Sequence, residues 1–264
     1  MLNISNISIT FNSGTTDAKK ALDDISLKVN DGDFITVIGA NGAGKSTLFN
    51  AIAGTFIVDS GKIELNGRDI TLMPEHKRAR KIGRLFQDPM KGSAPGMTVE
   101  ENLALAKRRG KTRFLRSGIT KAEREEYKEL LKILNLGLED RLTSKVGLLS
   151  GGQRQALTLL MATLQKPKLL LLDEHTAALD PKTAAKVLDI TDRIVNRDHL
   201  TTLMITHNMK DAIAHGNRLI MMDAGRVVLD IAGREKQRLT VPDLLALFSE
   251  AGGTDAADDK LLLA

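Results

Sequence analysis

The segment GANGAGKST, at residues 39–47, has residue types and spacing that suit phosphate binding. It fits the pattern G-x-x-x-x-G-K-[ST], and it follows an apolar segment and opens a helical one, which is the context that the pattern requires. Glycines let backbone amides surround phosphate oxygens, and Lys45 adds a mobile cation for the terminal phosphates. Ser46 can offer its hydroxyl to Mg²⁺. The segment therefore predicts a nucleotide-phosphate site.

Two adjacent acids form a second candidate group. The apolar segment LLLLDE, at residues 169–174, ends in Asp173 and Glu174. Residues at the carboxyl end of a strand face the ligand crevice of an open α/β sheet. Phosphoryl transfer needs a metal-side carboxylate and a group that orients the attacking water. We expect Asp173 to serve the metal and Glu174 the water; a solvated acidic pair at a strand end is the alternative.

A third segment, LLSGGQRQA at residues 148–156, resembles a second anion site. A small residue and paired glycines open an apolar helix there, and unpaired amides and the positive end of the helix dipole point outward at such a position. A small chain with one phosphate loop has no obvious use for another phosphate site. The segment therefore raises the question of which nucleotide it faces.

These residues need a sheet that gathers them at one edge. Apolar positions at helical spacing after Lys45, ended by Gly54, predict the helix that follows the phosphate loop. Buried strands separated by helices indicate a mainly parallel α/β sheet with a β-rich N-terminal part. The strands are predicted at residues 3–11, 25–29, 34–39, 62–65, 82–86, 169–172, 203–206 and 219–222.

Between residues 88 and 166 the pattern predicts helices, at 98–108, 121–135 and 151–165. Thr120 is the expected N-cap of the second helix, because Glu123 follows it in capping-box order. A short amphipathic helix is expected at 241–248. We predict an N-terminal core part at 1–88, an inserted helical subdomain at 89–166, a C-terminal core part at 167–234, and a C-terminal helix and tail at 235–264.

Composition argues against several classes of protein. Cysteine is absent, which leaves no disulfide framework and no thiolate site. The N-terminus lacks the order of a signal peptide, and no apolar run approaches the roughly 18 residues of a membrane helix. With aromatic residues at 3%, the stacking platforms of a single-strand nucleic-acid binder are missing. We expect a soluble, non-exported chain that can dock on a membrane protein.

The net charge is +5, and the basic residues concentrate in two clusters. Solvated surface, lipid head groups and a protein partner are the alternative explanations of these clusters. Their members are Lys77, Arg78, Arg80, Lys81 and Arg84, followed by Lys107, Arg108, Arg109, Lys111, Arg113 and Arg116.

Taken in order, GANGAGKST, LFQDP, LLSGGQ, LLLLDE, AALD and MITH resemble the full motif set of ABC-type ATPases, and LSGGQ is that family's signature. The resemblance spans residues 2–230, and it implies an α/β phosphate-loop, RecA-like ATPase core that binds ATP and Mg²⁺. It implies metal contacts from Ser46, Gln87 and Asp173. It implies nucleotide contacts from Phe11, Gly39, Asn41, Gly42, Gly44, Lys45, Ser46, Thr47, Ser150, Gly151, Gly152, Gln153 and Asp180.

The resemblance also implies three catalytic residues. Glu174 polarises the water, Gln87 touches Mg²⁺ and the water, and His207 contacts the γ-phosphate; a polar cap and a structural histidine are the alternatives for the last two. Asp180 matches an acid of the loop that crosses between subunits, or else simply begins a helix with Pro181 in its first turn.

Phe11 and His175 each have two alternative roles. Phe11 is either the aromatic that stacks on adenine or ordinary strand core. His175 stands where the family commonly has proline, so it either adds a titratable group beside the chemistry or is a tolerated loop substitution.

The resemblance further implies a homodimer in which ATP lies between Lys45 of one copy and 150–153 of the other. Such a dimer would energise an integral membrane permease at the cytoplasmic face of the cell membrane, served by a separate substrate-binding protein. The run from GRLFQDP to LLLLDEHTAALDP is most similar to bacterial importer ATPases of the hydrophobic or aromatic, tryptophan-type amino-acid group. The alternatives are an exporter ATPase, a non-transport ATPase on nucleic acid or ribosomes, and a regulatory subunit without turnover.

Overall fold

The computed structural model describes residues 1–111 and 118–250 of the chain. Arg113 and Arg116 of the second basic cluster, and the predicted tail from residue 251 onward, lie outside the described residues. The strands are β1 Leu2–Phe11, β2 Lys19–Val29, β3 Phe34–Ile38, β4 Ser60–Leu65, β5 Arg68–Asp69, β6 Ile82–Leu85, β7 Leu169–Asp173, β8 Thr202–Ile205, β9 Arg218–Asp223 and β10 Arg226–Ala232. The helices are α1 Lys45–Ala53, α2 Glu75–Arg78, α3 Val99–Lys107, α4 Lys121–Lys132, α5 Gly151–Thr163, α6 Pro181–Asp198, α7 Met209–Ala214, α8 Gly233–Arg238 and α9 Val241–Glu250, with a 3-10 turn at Val146–Leu148.

The larger sheet of the described chain has the strand order β10-β9-β3-β8-β7-β6. Its neighbours from β9 to β6 pair in parallel, and β10 pairs antiparallel to β9 at one edge. Strands β3 and β8 are buried along their whole length, as expected of parallel strands that are covered on both faces. The mainly parallel α/β sheet predicted from the sequence is therefore confirmed.

The parallel pairing brings several strand ends to one edge of this sheet. Strands β3, β6, β7 and β8 run in the same direction, so their carboxyl ends meet there. The residues that follow these ends are the phosphate loop, Gln87, Glu174 and His207. The sheet thus positions the sequence-predicted site by topology alone, in the crevice where open α/β sheets bind ligands.

A second sheet in the described residues, of order β2-β1-β4-β5, is antiparallel and holds the β-rich N-terminal part. Its inward side chains share one core cluster with α1 and with the strands of the larger sheet, and Phe49 of α1 is fully buried in that cluster. The sheet therefore supports the helix that carries the phosphate loop.

Among the described residues, only helices and turns, and no strand, lie between β6 and β7. Thr120 caps α4 with Glu123 in the predicted capping box, and Thr98 caps α3 in the same way with Glu101. These helices pack around a separate apolar cluster that includes Tyr127 and spreads onto β7. The helices agree with the expected positions to within a few residues, while the domain limits remain a prediction.

The C-terminal part ends in α9, which covers the expected 241–248 segment and two further residues. Leu244 and Phe248 of α9 are buried against Ile38 and Met209. Strand β10 is not predicted from the sequence, since its burial along the sheet edge is partial and its pattern is mixed. In the part of the chain that the structure describes, no helix combines the length and apolar character needed to cross a membrane.

Candidate active site

The phosphate loop connects β3 to α1 in a shape that glycine makes possible. Gly39 has φ 146°, and a Cβ there would lie 2.1 Å from the carbonyl oxygen of Met222. Gly44 caps α1 in the left-handed region, and no side chain caps the helix start. The amides of the first turn of α1 are therefore not used by a cap and point to the position where an anion would bind.

Lys45 is folded back over this loop. Its Nζ donates to the carbonyl oxygens of Gly39 at 2.7 Å and Ala40 at 3.0 Å, and the side chain is buried. Burial lowers the pKa of Lys45, while the nearby carboxylates of Glu174 and Asp173 oppose that shift. The cation is thus held inside the loop, on the side that faces the two acids.

The acids at the end of β7 have different surroundings. The Glu174 carboxylate meets Nε2 of His207 at 2.5 Å, and that hydrogen bond lowers the pKa of Glu174. Burial raises the pKa of Asp173, and Arg84, whose Nη2 lies 3.5 Å from Asp173 Oδ2, opposes this. Glu174 therefore stays ionised and can accept a proton or orient water, as a base beside a phosphate must.

Glu174 also has an unusual backbone. Its φ is 47°, in the left-handed region that non-glycine residues rarely adopt. Such strain costs on the order of 1–3 kcal/mol, and it persists where the surroundings hold the residue in place. Here the amide of Glu174 donates to the carbonyl of Ile205. The turn after β7 thus directs the carboxylate towards His207.

An open cleft of about 640 Å³ lies at this edge of the sheet, and neither Lys45 nor His207 is among the residues that line it. Its size falls within the range of about 300–1,000 Å³ typical of small-molecule sites. Four of the predicted residues line it: Ser46, Gln87, Asp173 and Glu174. Asn50, Arg84 and Phe86 also line it, and the sequence had not pointed to any of the three as site residues. For Arg84, the signal in the sequence is a charged residue within an apolar strand.

The segment LLSGGQ forms the start of α5. Ser150 and Gln153 close a capping box, in which the Gln153 amide donates to Ser150 Oγ and Gln153 Oε1 accepts from the Ser150 amide, both at 3.2 Å. Gly152 is buried, and a Cβ there would lie 2.2 Å from Cγ2 of Thr183. None of residues 150–153 lines the cleft, and the described neighbours of this helix start, Leu136, Leu179 and Thr183, do not line it either.

Asp180 lies at the start of α6. Its carboxylate accepts from the Thr183 amide at 3.1 Å, and Pro181 follows at the first helical position. The helix start expected as the plain alternative is therefore present. Asp180 is also exposed beside the α5 start, since Gly151 and Gly152 pack on Leu179 and Thr183. A role for Asp180 between subunits stays a prediction.

Comparison with known proteins decides the family. The family model described as ABC transporter matches residues 22–177, more than half of the chain. The chain belongs to the ABC transporter family. It is 46% identical to a tyrosine transport ATP-binding protein of Clostridioides difficile over 251 residues, which cover 95% of this chain and 100% of the relative. It is 42% identical to a methionine import ATP-binding protein of Rhizobium etli, covering 80% of this chain and 56% of the longer relative.

Solved ABC cassettes share the fold. A dimeric ATP-binding cassette in a post-hydrolysis state with ADP and phosphate matches with a TM-score of 0.75 at 29% identity, covering 89% of this chain and 99% of that one. The ADP conformation of another ABC transporter cassette matches with a TM-score of 0.75 at 28% identity, covering 94% and 98%. The predicted ABC ATPase fold is confirmed, and the chain is an ATPase subunit of this family. The nucleic-acid alternative is not favoured.

The structure shows the surroundings of Phe11 and His175, the two positions for which the sequence left two alternatives. Phe11, at the end of β1, packs edge-to-face on Phe56 with ring centroids 5.3 Å apart and is only partly buried. That contact fits strand core and leaves adenine stacking as a prediction. His175 is 2% exposed and its Nε2 lies 3.1 Å from Thr191 Oγ1.

The tautomer of His175 follows from its partner. The Thr191 hydroxyl already donates to the Val187 carbonyl at 2.9 Å, so Thr191 Oγ1 accepts and His175 Nε2 carries the hydrogen. Burial lowers the pKa of His175 to about 4, so the ring is neutral near pH 7. The structure therefore favours a buried loop substitution over a titratable group in the reaction site.

Proposed function

We propose that two copies of this ABC ATPase close around two ATP molecules and drive an importer of aromatic or other hydrophobic amino acids. One observation carries the dimer: Ser46 and Asn50 of α1 and the two acids line the cleft, while the start of α5 has its contacts elsewhere, with Leu136, Leu179 and Thr183. A second copy can supply its own 150–153 segment to the ATP held by Lys45. Similarity to a solved dimeric cassette with ADP and phosphate supports this arrangement.

The chain's own residues have separate tasks in this proposal. Lys45 and the uncapped amides of α1 hold the phosphates. Glu174, kept ionised by its bond to His207, orients the water that attacks the terminal phosphorus and accepts its proton. In this proposal His207 contacts the γ-phosphate, and Gln87 contacts the attacking water. The bond to the β-phosphate oxygen then breaks and releases ADP and phosphate.

The donors in the cleft fit Mg²⁺. The Ser46 hydroxyl, the Gln87 amide oxygen and the Asp173 carboxylate all line the cleft and are the oxygen ligands that Mg²⁺ prefers. No cluster of three or more His, Cys, Asp or Glu capable of holding a metal occurs among the described residues. Mg²⁺ is commonly bound through one or two carboxylates together with substrate phosphates, and Asp173 would supply the carboxylate here. The ion would neutralise charge on the transferring phosphoryl group.

The transport side of the proposal depends on resemblance. A relative that matches the chain along nearly its whole length is a tyrosine transport ATP-binding protein, and the sequence resembles tryptophan-type importer ATPases. We therefore place the dimer on the cytoplasmic face of the membrane, against integral permease subunits, with a separate substrate-binding protein outside. The permease contact is expected near Gln87 and residues 90–101, where a glycine-rich loop leads into α3.

Glu174→Gln tests the catalytic proposal. The amide keeps the shape of the side chain but cannot accept the proton, so ATP turnover should fall by about 10²-fold or more while ATP binding persists. Light scattering should then show a monomer-to-dimer shift with ATP in this variant. A variant that hydrolyses ATP at the unaltered rate would refute the role of Glu174. Glu235→Gln, a conservative change at an exposed residue away from the cleft, is the matched control.

Cells that lack the gene test the substrate. We expect uptake of labelled tyrosine or tryptophan to fall, and uptake of a polyamine to stay unchanged. Restoring the unaltered gene should recover uptake, and restoring Glu174→Gln should not. Normal uptake of both aromatic amino acids in the deletion strain would contradict the substrate class and leave the ATPase assignment intact.

A further inference from the structure

Arg84 is a charged residue inside an otherwise buried strand. Its neighbours in β6, Ile82, Gly83 and Leu85, are all buried, and its own side chain is only 12% exposed. A guanidinium in such a position is costly unless its donors are paired. Both terminal nitrogens of Arg84 have partners, and these lie at the active-site cleft, whereas its Nε is buried with no hydrogen-bond partner among the described residues.

The guanidinium reaches the helix that carries the phosphate loop. Nη2 donates to Asn50 Oδ1 at 2.7 Å, and Nη1 donates to Thr55 Oγ1 at 3.3 Å. Asn50 belongs to α1, and Thr55 follows the end of that helix. Two different nitrogens thus tie β6 to α1, which a single ammonium group cannot do with the same geometry.

The same guanidinium faces Asp173 and the ring of Phe86. Nη2 lies 3.5 Å from Asp173 Oδ2, and the charged carbon sits 4.6 Å from the centroid of the Phe86 ring, immediately before Gln87. No hydrogen bond to the other carboxylate oxygen, Oδ1, is found among the described residues. This contact is long and involves Oδ2 alone, so Arg84 bears on the orientation of the carboxylate without occupying Oδ1.

We propose that Arg84 is a positioning residue that aligns the Asp173 carboxylate and the Gln87 segment with α1 for the binding of a divalent cation with nucleotide. The inference rests on the roles proposed above for Asp173 and Gln87. Arg84 acts in this proposal through the side chains that it contacts, Asn50, Thr55, Asp173 and Phe86. It connects three parts of the cleft that are far apart in the sequence: the end of β7, the end of β6 and α1.

The test uses the purified full chain with ADP and Mn²⁺ as probes. Free Mn²⁺ is measured by its paramagnetic resonance signal, and ADP binding without metal is measured by calorimetry in EDTA. Arg84→Met should weaken Mn²⁺ binding in the presence of ADP by about tenfold, the lower end of the range for residues that orient metal ligands. Metal-free ADP binding should change less than about twofold, because that affinity depends on the phosphate loop.

Arg84→Lys separates charge from geometry. It keeps the positive charge but loses the fork that holds Asn50 and Thr55, so we expect it to bind Mn²⁺ more weakly than the unaltered chain as well. Arg193→Met is the matched control, because Arg193 lies on the exposed face of α6 and pairs with Asp189. Full Mn²⁺ affinity in Arg84→Lys would show that charge alone matters and would overturn the positioning role.

Two other results would overturn the proposal. One is unchanged Mn²⁺ binding in Arg84→Met. The other is an equal loss of metal-free ADP binding and of Mn²⁺ binding together with a lower melting temperature, which would make Arg84 a structural residue only. The unaltered chain distinguishes these failures from failure of the proposed function: if it binds no Mn²⁺ with ADP, the proposed metal roles of Asp173 and Gln87 fail, whereas normal Mn²⁺ binding in the unaltered chain leaves only the role of Arg84 at stake.

Discussion

Substitution of Gly152 by alanine tests how the signature segment is packed. In the structure, a Cβ at residue 152 would lie 2.2 Å from Cγ2 of Thr183, closer than real Cβ atoms approach any neighbour. Thr183 is held in the first turn of α6, where its amide donates to Asp180. Either the threonine side chain or the start of α5 must move to accept the methyl group. We therefore expect Gly152→Ala to destabilise the chain.

The expected change in the free energy of unfolding follows from two opposing effects. Forcing an extra methyl into a packed contact costs about 1–3 kcal/mol. Replacing glycine by alanine in a helix recovers at most about 0.5–1 kcal/mol, because glycine loses more conformational freedom on folding. The net loss is about 1 kcal/mol, which corresponds to a fall in melting temperature of about 2–4 °C for a chain of this size.

Thr183→Ser removes the methyl group that causes the clash and keeps the hydroxyl. The double variant Gly152→Ala/Thr183→Ser should therefore recover most of the stability that Gly152→Ala loses, as measured by thermal unfolding followed by circular dichroism. Gly151→Ala is the matched control, because its Cβ would meet only the flexible end of Leu179, at 3.1 Å. A Gly152→Ala chain as stable as the unaltered one, or no coupling between residues 152 and 183, would refute the packing argument.

Two further substitutions are informative. If Phe11 stacks on adenine, as we predict, Phe11→Ala should weaken ATP binding measured by calorimetry. Phe56→Ala is the control, because it removes the same edge-to-face contact. Unchanged ATP affinity together with a lower melting temperature would show that Phe11 is a core residue only. The hydrogen bond that Nδ1 of His215 donates to Asp192 Oδ2, at 2.7 Å, raises the pKa of His215 above its ordinary value of 6.5. The stability from this pair is therefore fully present below pH 6.5 and is lost as the pH rises through the folded-state pKa. In Asp192→Asn, the melting temperature should depend less on pH over this interval.

Local sequence signals predicted the elements well. The strand before GANGAGKST, the helix after it and the capping box of Thr120 with Glu123 depend on residues close in the chain, and each forms as expected. Strand β10 was not predicted, because its pairing with β9 at a sheet edge gives no strong burial pattern. Edge strands depend on a partner more than on their own composition.

The sequence by itself determined which chemistry the chain can carry. Lys45, Asp173 and Glu174 lie at the ends of segments whose residue patterns specify a helix and strands. Such patterns are local properties of the chain. Only the tertiary structure decided which residues meet. Parallel pairing from β3 to β6 brings Glu174 to His207, directs Arg84 to Asp173, and turns His175 into the core beside Thr191. The physical reason is that these contacts join residues far apart in the chain, and sheet register and packing determine them.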